Sequence, residues 1–148
     1  LGRWLAGNPP EQIILHGPYL RHEFCDRVRE IQPHVGAVLS MWPETWCHTL
    51  TELWAAGVPV VGCDFGAVAE RIRAHGGGWL LSAATPHALE TLLARLRQDP
   101  DEHAARLAEV RRWQKDAGMQ QSCAAMAEQY LALYARHASL SAGEFPEV

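Results

Sequence analysis

The stretch that decides the fold runs Val58-Pro59-Val60-Val61-Gly62, Cys63 to Gly66, Ala67 to His75, Gly76-Gly77-Gly78 and Trp79-Leu80-Leu81. Val58 to Gly62 is a continuous apolar run of strand length, the pattern of a strand buried on both faces. Asp64-Phe65-Gly66 makes a loop. Ala67 to His75 has helical spacing with Val68, Ala69 and Ile72 on one side, and the glycine triplet ends it. Trp79 to Leu81 is again a buried type of strand. Strand, helix and strand in this order predict a parallel sheet covered on both faces and joined by right-handed crossovers.

The same alternation extends upstream. Val35 to Ser40 is an apolar run that Met41-Trp42-Pro43 cannot continue, and Thr49 to Ala56 has helical spacing with Gly57 placed as its C′ glycine. Before these, Gln12 to His16 reads as a strand closed by Gly17-Pro18. Tyr19 to Ile31 reads as a helix with Leu20, Phe24, Val28 and Ile31 on one stripe, stopped by Pro33. The prediction is four parallel strands near 12–16, 36–40, 58–62 and 79–81. Downstream, Thr85-Pro86 opens a helix carrying Leu89, Leu92, Leu93 and Leu96, and Asp99-Pro100 breaks it. A second helix carries Leu107, Val110 and Trp113. A third, Met119 to Arg136, sets Cys123, Met126, Tyr130 and Leu133 on a stripe expected to be core. From Ser139 to Val148 a frayed tail is expected.

Composition narrows the classes of function. The 148 residues suit one domain, and 13 Lys plus Arg against 17 Asp plus Glu give a net charge of −4. No basic stretch carries interleaved aromatics, so nucleic acid is not an expected partner. At 48% hydrophobic residues the chain is too apolar for disorder, yet no apolar run approaches the roughly 20 residues that span a bilayer. Cys25, Cys47, Cys63 and Cys123 form no C-x-x-C pair, and the eight histidines fall into no ligand pattern; reduced cysteines and no metal are expected. Only Lys115 is lysine, whereas twelve residues are arginine, a usage that follows GC-rich coding DNA and suggests a bacterial source. The chain opens on Leu1 without a signal peptide and reads as a piece of a longer protein.

In an open parallel sheet, ligands bind outside the carboxyl ends of the strands, and there the loop from Ser40 to Glu52 is richest in chemistry. Glu44 and Glu52 are eight residues apart. On one helix they would stand about 80° apart and about 12 Å along the axis, too far to share a ligand comfortably. They converge if Glu44 lies in the loop and Glu52 one turn inside the helix, with free backbone N–H groups between them. This suits a ligand with phosphate in its middle and hydroxyl-rich sugars at both ends. The alternative is a simple capping box, Thr49 to Glu52, with Glu44 a solvated loop residue.

From Ile13 to Leu81 the chain resembles the donor-binding domain of the retaining group 1 (family 4) glycosyltransferases of the GT-B fold. Their signature is a glutamate, seven residues, then a second glutamate followed by Ala-x-Ala-x-Gly-x-Pro-Val-Val. Here these are Glu44, Thr45 to Thr51, Glu52, and Leu53 to Val61. Asp64 to Ile72 resembles the next family loop and helix, and Gly78 to Leu81 the family's Gly-x-Leu-Val strand. The resemblance implies a three-layer α/β/α Rossmann-like sheet, half of a GT-B fold truncated at its N-terminal side, with residues 1–138 forming part of the donor domain.

The resemblance also implies roles. Glu44, the residue assigned to catalysis, would meet hydroxyls of the transferred sugar, and Glu52 the ribose hydroxyls of a nucleotide-sugar donor. N–H groups around His48, Thr49 and Leu50 would receive the diphosphate. Thr51 offers a hydroxyl beside them. Beside the resemblance, Tyr19, next to Gly17-Pro18, is placed either to line the nucleobase slot with Gly17 or simply to pack, and Trp46 and His48 either to touch donor or acceptor or to stand on the surface without such a role. Neither glutamate need be a general base, because the leaving diphosphate can take the acceptor proton in a front-face attack. No cofactor is implied. The family's Phe-Gly between the glutamates is replaced by Thr45 to Thr51 without glycine, which implies a changed backbone approach to the donor. The family's Arg and Lys pair for the diphosphate, and the domain that holds the glycan or lipid-linked acceptor, would lie outside this chain. Excised strands would leave an edge open to pairing, so a dimer could be a product of truncation. A cytoplasmic enzyme is expected, with membrane association open for the full-length parent. The competing reading is a non-catalytic α/β nucleotide-sensing or interaction domain.

Overall fold

The computed structural model describes residues 13–141. A 3-10 turn at Arg21–Glu23 leads into α1 (Phe24–Ile31), followed by β1 (Gly36–Val38), α2 (His48–Ala55), β2 (Val60–Cys63), α3 (Gly66–His75) and β3 (Gly78–Leu81). Then come α4 (Pro86–Gln98), α5 (Pro100–Lys115), α6 (Ala117–Gln120) and α7 (Cys123–Ser141). The three strands form a parallel sheet in the order β1-β2-β3, with Gly36 opposite Val60 and Val60 opposite Gly78. The predicted fold class, a mixed α/β domain with a parallel sheet flanked by helices, is what the structure has.

Alternation along β2 separates two cores. Val60 joins Leu50, Leu53, Trp54, Val68, Ile72, Val110 and Trp113, contributed by α2, α3 and α5. Its neighbour Val61 joins Trp79, Leu81 and Leu92, the last from α4. The helix ends follow local chemistry. Gly57, at φ +84°, ends α2 in a Schellman motif, with its N–H donating to the Trp54 carbonyl and that of Val58 to the Leu53 carbonyl. Thr85 and Asp99 cap α4 and α5 by accepting from the Ala88 and Glu102 N–H groups, and a proline follows each cap.

Three expectations are corrected. Ile13 to His16 is not a strand: the segment is exposed, with Ile14 at 74%, and takes no place in the sheet. Gln12 lies outside the described residues. An apolar run becomes a strand only where a neighbour accepts its backbone hydrogen bonds, and none of the three strands pairs with it. The helix expected from Tyr19 begins at Phe24 after the 3-10 turn, and of its stripe only Val28 is buried, while Leu20 and Ile31 are exposed. The last helix is broken at Gln121 and Ser122, where the Ser122 hydroxyl accepts from the Ala125 N–H and starts α7 afresh. Its stripe is not core either: Cys123, Met126, Tyr130 and Leu133 are exposed. α7 includes the start of the expected tail, and 142–148 lie outside the described residues.

Candidate functional site

The loop from Leu39 to Cys47 leaves the carboxyl end of β1 and turns into α2. Cys47 makes the turn with φ +65° and ψ 88°, a left-handed conformation that costs a residue with a Cβ roughly 1–2 kcal/mol. The glycine missing between the two glutamates is thus made up by a cysteine that takes a glycine conformation. Cys47 is the N-cap residue of α2 and brings no side-chain oxygen to it, so the N–H groups of His48 and Thr49 precede the first intrahelical bond without a cap, while that of Leu50 faces the Cys47 thiol. The capping box from Thr49 to Glu52 does not form, because the helix already starts at His48.

Of His48, Thr49 and Leu50, it is His48 that lines an open cleft of about 490 Å³, together with Trp42, Glu44, Thr45, Trp46 and Cys47. Glu44 is half-buried, and its backbone is pinned by the Ala67 N–H, which donates to the Glu44 carbonyl at 3.1 Å. Gly66, at φ +63°, permits this docking: a Cβ there would stand 2.9 Å from Pro43 Cα and 3.2 Å from the Glu44 nitrogen. The Ser40 hydroxyl donates to the Glu44 carboxylate and, with a smaller contribution from Cys47, holds it below the usual carboxylate range. Burial pushes the Cys47 thiol up, with the Leu50 N–H acting against it. A carboxyl depressed in the folded state adds stability above its unfolded pKa, and that stability is lost as pH falls through the folded value. Ser40→Ala is therefore expected to raise the Glu44 pKa and shrink the acid-side stability it contributes. Carbon-detected NMR titration measures this, and an unmoved pKa would transfer the effect to Cys47.

Glu52 stands one turn into α2, half-buried, and is not among the residues lining that cleft. Its carboxylate accepts from Arg21 Nε at 3.0 Å, across the start of α1. Glu44 and His48 thus share one cleft, while Glu52 faces the 3-10 turn. Thr49 is exposed, Leu50 is fully buried with only its backbone near the turn, and Thr51 accepts from Arg71. Tyr19 is half-exposed and packs its ring against Phe24 at 5.6 Å. Gly17, at φ +73°, lies in the exposed segment before it.

Arg71 is the residue that sequence reasoning missed. It reaches the loop from α3 and donates to the carbonyls of Trp46 and Cys47. The available signal was its place on the apolar side of α3, three residues after Val68 and beside Ile72. Elsewhere, an apolar groove of about 460 Å³ between α4, α5 and the amino end of β1 is lined by His34, Leu93, Leu96, Pro100 and His103, without a carboxylate. Among the described residues no group of three or more His, Cys, Asp or Glu side chains is arranged to hold a metal, and no helix is long and apolar enough to cross a membrane.

A three-stranded parallel sheet flanked by helices, with a cleft beyond the carboxyl end of β1, is an α/β unit of the Rossmann-like class. Family comparison names it more closely: the model of the glycosyl transferases of group 1 matches residues 31–113, more than half of the chain. The chain belongs to that family. No curated protein matches it.

Proposed function

We propose that this chain is the donor-binding portion of a retaining, family 4 glycosyltransferase of the GT-B fold. The full-length parent would move a sugar from a nucleotide-sugar to a glycan or lipid-linked acceptor held by a preceding domain. The observation that carries this reading is the start of α2, uncapped at His48 and Thr49, with His48 and Glu44 lining one open cleft, in a chain of the group 1 family. Backbone N–H groups at a helix start attract phosphate charge by roughly 0.3–2 kcal/mol, and a carboxylate accepts two hydroxyl protons at once. In this reading the diphosphate lies on the N–H groups of His48 to Leu50, and Glu44 orients the transferred sugar. Glu52 takes the ribose after Arg21 swings aside, and Gly17 and Tyr19 border the base. Arg21 is free to swing, because its side chain is 77% exposed and such surface pairs are worth about 0–1 kcal/mol. The protein positions the reactants and stabilises the leaving charge; no metal or cofactor is required.

One observation favours the competing reading, a non-catalytic α/β sensing or interaction domain: the Glu52 carboxylate is already engaged by Arg21. Calorimetric titration with nucleoside diphosphates and nucleotide-sugars separates the two. The chain is expected to bind on the order of millimolar, about −4 kcal/mol. Glu52→Ala should weaken donor binding by roughly ten- to a hundredfold, about 1.5–3 kcal/mol, with Glu52→Gln in between. Unchanged affinity in Glu52→Ala would leave Glu52 as the partner of Arg21 and nothing more.

A further inference from the structure

Arg71 is only 7% exposed, and among the described residues no carboxylate lies within ion-pairing distance of it. Its partners are all neutral. One terminal nitrogen, Nη1, donates to the carbonyls of Trp46 at 2.9 Å and Cys47 at 3.1 Å, and the other, Nη2, to the Thr51 hydroxyl at 2.9 Å. The guanidinium carbon lies 4.3 Å from the centre of the Trp46 ring and 5.4 Å from that of Trp54, while Nε has no partner. Burying a charge without an acid is unfavourable, so neutral packing would serve this position better if stability were all it supplied.

What the guanidinium grips is the left-handed turn. No peptide bond here is cis, so each N–H points opposite to the carbonyl of the same peptide unit. With the Trp46 and Cys47 carbonyls drawn onto Arg71, the N–H groups of Cys47 and His48 are turned away from it. That is the side of the cleft, which residues 42–48 line and Arg71 does not. A left-handed residue followed by a helical one is the geometry in which successive N–H groups form an anion-binding concavity. Cys47 followed by His48 is such a pair. The same helix fixes the other end of the loop through Ala67, one turn before Arg71 and on the same side.

The geometry points to Arg71 as a positioning residue for the anion end of the cleft: by holding two successive carbonyls it keeps Cys47 left-handed and aims the Cys47 and His48 N–H groups at a diphosphate. This rests on the donor reading above. Arg71 itself does not touch the ligand.

Inorganic pyrophosphate, which carries no base or sugar, is the probe. It is titrated calorimetrically into the 148-residue chain and into Arg71→Lys, Cys47→Gly and the double variant. Lysine keeps the buried charge but cannot fork onto two carbonyls and a hydroxyl, so Arg71→Lys is expected to lose about tenfold in affinity. Glycine restores no hydrogen bond but makes the left-handed turn inexpensive, so Cys47→Gly should return the double variant to within about threefold of the original. Affinity within twofold of the original in Arg71→Lys, or a loss that Cys47→Gly does not repair, overturns the inference. Should Arg71→Lys not fold, folding restored by Cys47→Gly supports it, and failure of both variants to fold assigns Arg71 to the core instead and overturns it. If the unaltered chain binds no pyrophosphate, the donor reading falls. The clamp is then judged alone by the Cys47 amide-to-α-proton coupling, and a left-handed Cys47 surviving in Arg71→Lys overturns it.

Discussion

Trp54→Ala is expected to destabilise the domain by about 3–5 kcal/mol, a large part of the roughly 5–15 kcal/mol that holds a typical domain together. Trp54 has no exposed surface, and its ring lies 5.2 Å from that of Trp113 and meets the His75 ring edge-on at 6.2 Å. It therefore ties α2 to α5 and α3. The indole N–H also donates to the Gly77 carbonyl at 3.0 Å, where β3 begins. That carbonyl accepts from the Val60 N–H as well, so losing the indole leaves it paired. The cost is then a cavity, and the loss of one neutral hydrogen bond adds only about 0.5–1.5 kcal/mol. Trp54→Phe, which keeps most of the ring, should fall well short of Trp54→Ala. Urea denaturation measures both, and a loss under about 1 kcal/mol in Trp54→Ala would place the centre of the core elsewhere.

Gly66→Val is expected to cost about 2–5 kcal/mol and to loosen the loop that carries Glu44. A left-handed residue with a Cβ loses roughly 1–2 kcal/mol, and a branched side chain fits that region worst. The added Cβ would also stand 2.9 Å from Pro43 Cα, and the neighbour that must give way is backbone. Forcing such a contact costs about 1–3 kcal/mol more. The strain is relieved when the loop from Pro43 lifts from α3, which breaks the hydrogen bond from the Ala67 N–H to the Glu44 carbonyl. Denaturation gives the stability loss, and hydrogen exchange at the Ala67 amide gives the loop. Fast exchange there is expected; protection equal to that of the unaltered chain would show that the loop does not depend on Gly66.

What the sequence by itself determined is what local chemistry decides. Val60-Val61 and Trp79 to Leu81 are apolar without alternation, and only a strand covered on both faces uses such a pattern. Thr85-Pro86, Asp99-Pro100 and Gly57 set helix ends through their own side chains or their own backbone freedom, with no distant partner required. The sequence separated Glu44, in a loop, from Glu52, in a helix, but left open whether Glu52 stood one turn inside that helix or closed a capping box with Thr49. Tertiary structure alone decided the rest. Among the described residues, Ile13-Ile14-Leu15 has a strand pattern and no strand to pair with, and the stripe from Cys123 to Leu133 has helical spacing and no surface to cover it. Glu52 meets Arg21 over 31 residues of chain, and Arg71 meets the carbonyls of Trp46 and Cys47 over 25 and 24. Periodicity reports which face of an element is apolar, but which distant group arrives at that face depends on how the elements pack. The left-handed Cys47 was hidden for that reason: nothing in the residue favours the conformation, and the arginine that grips it comes from the next helix of the fold.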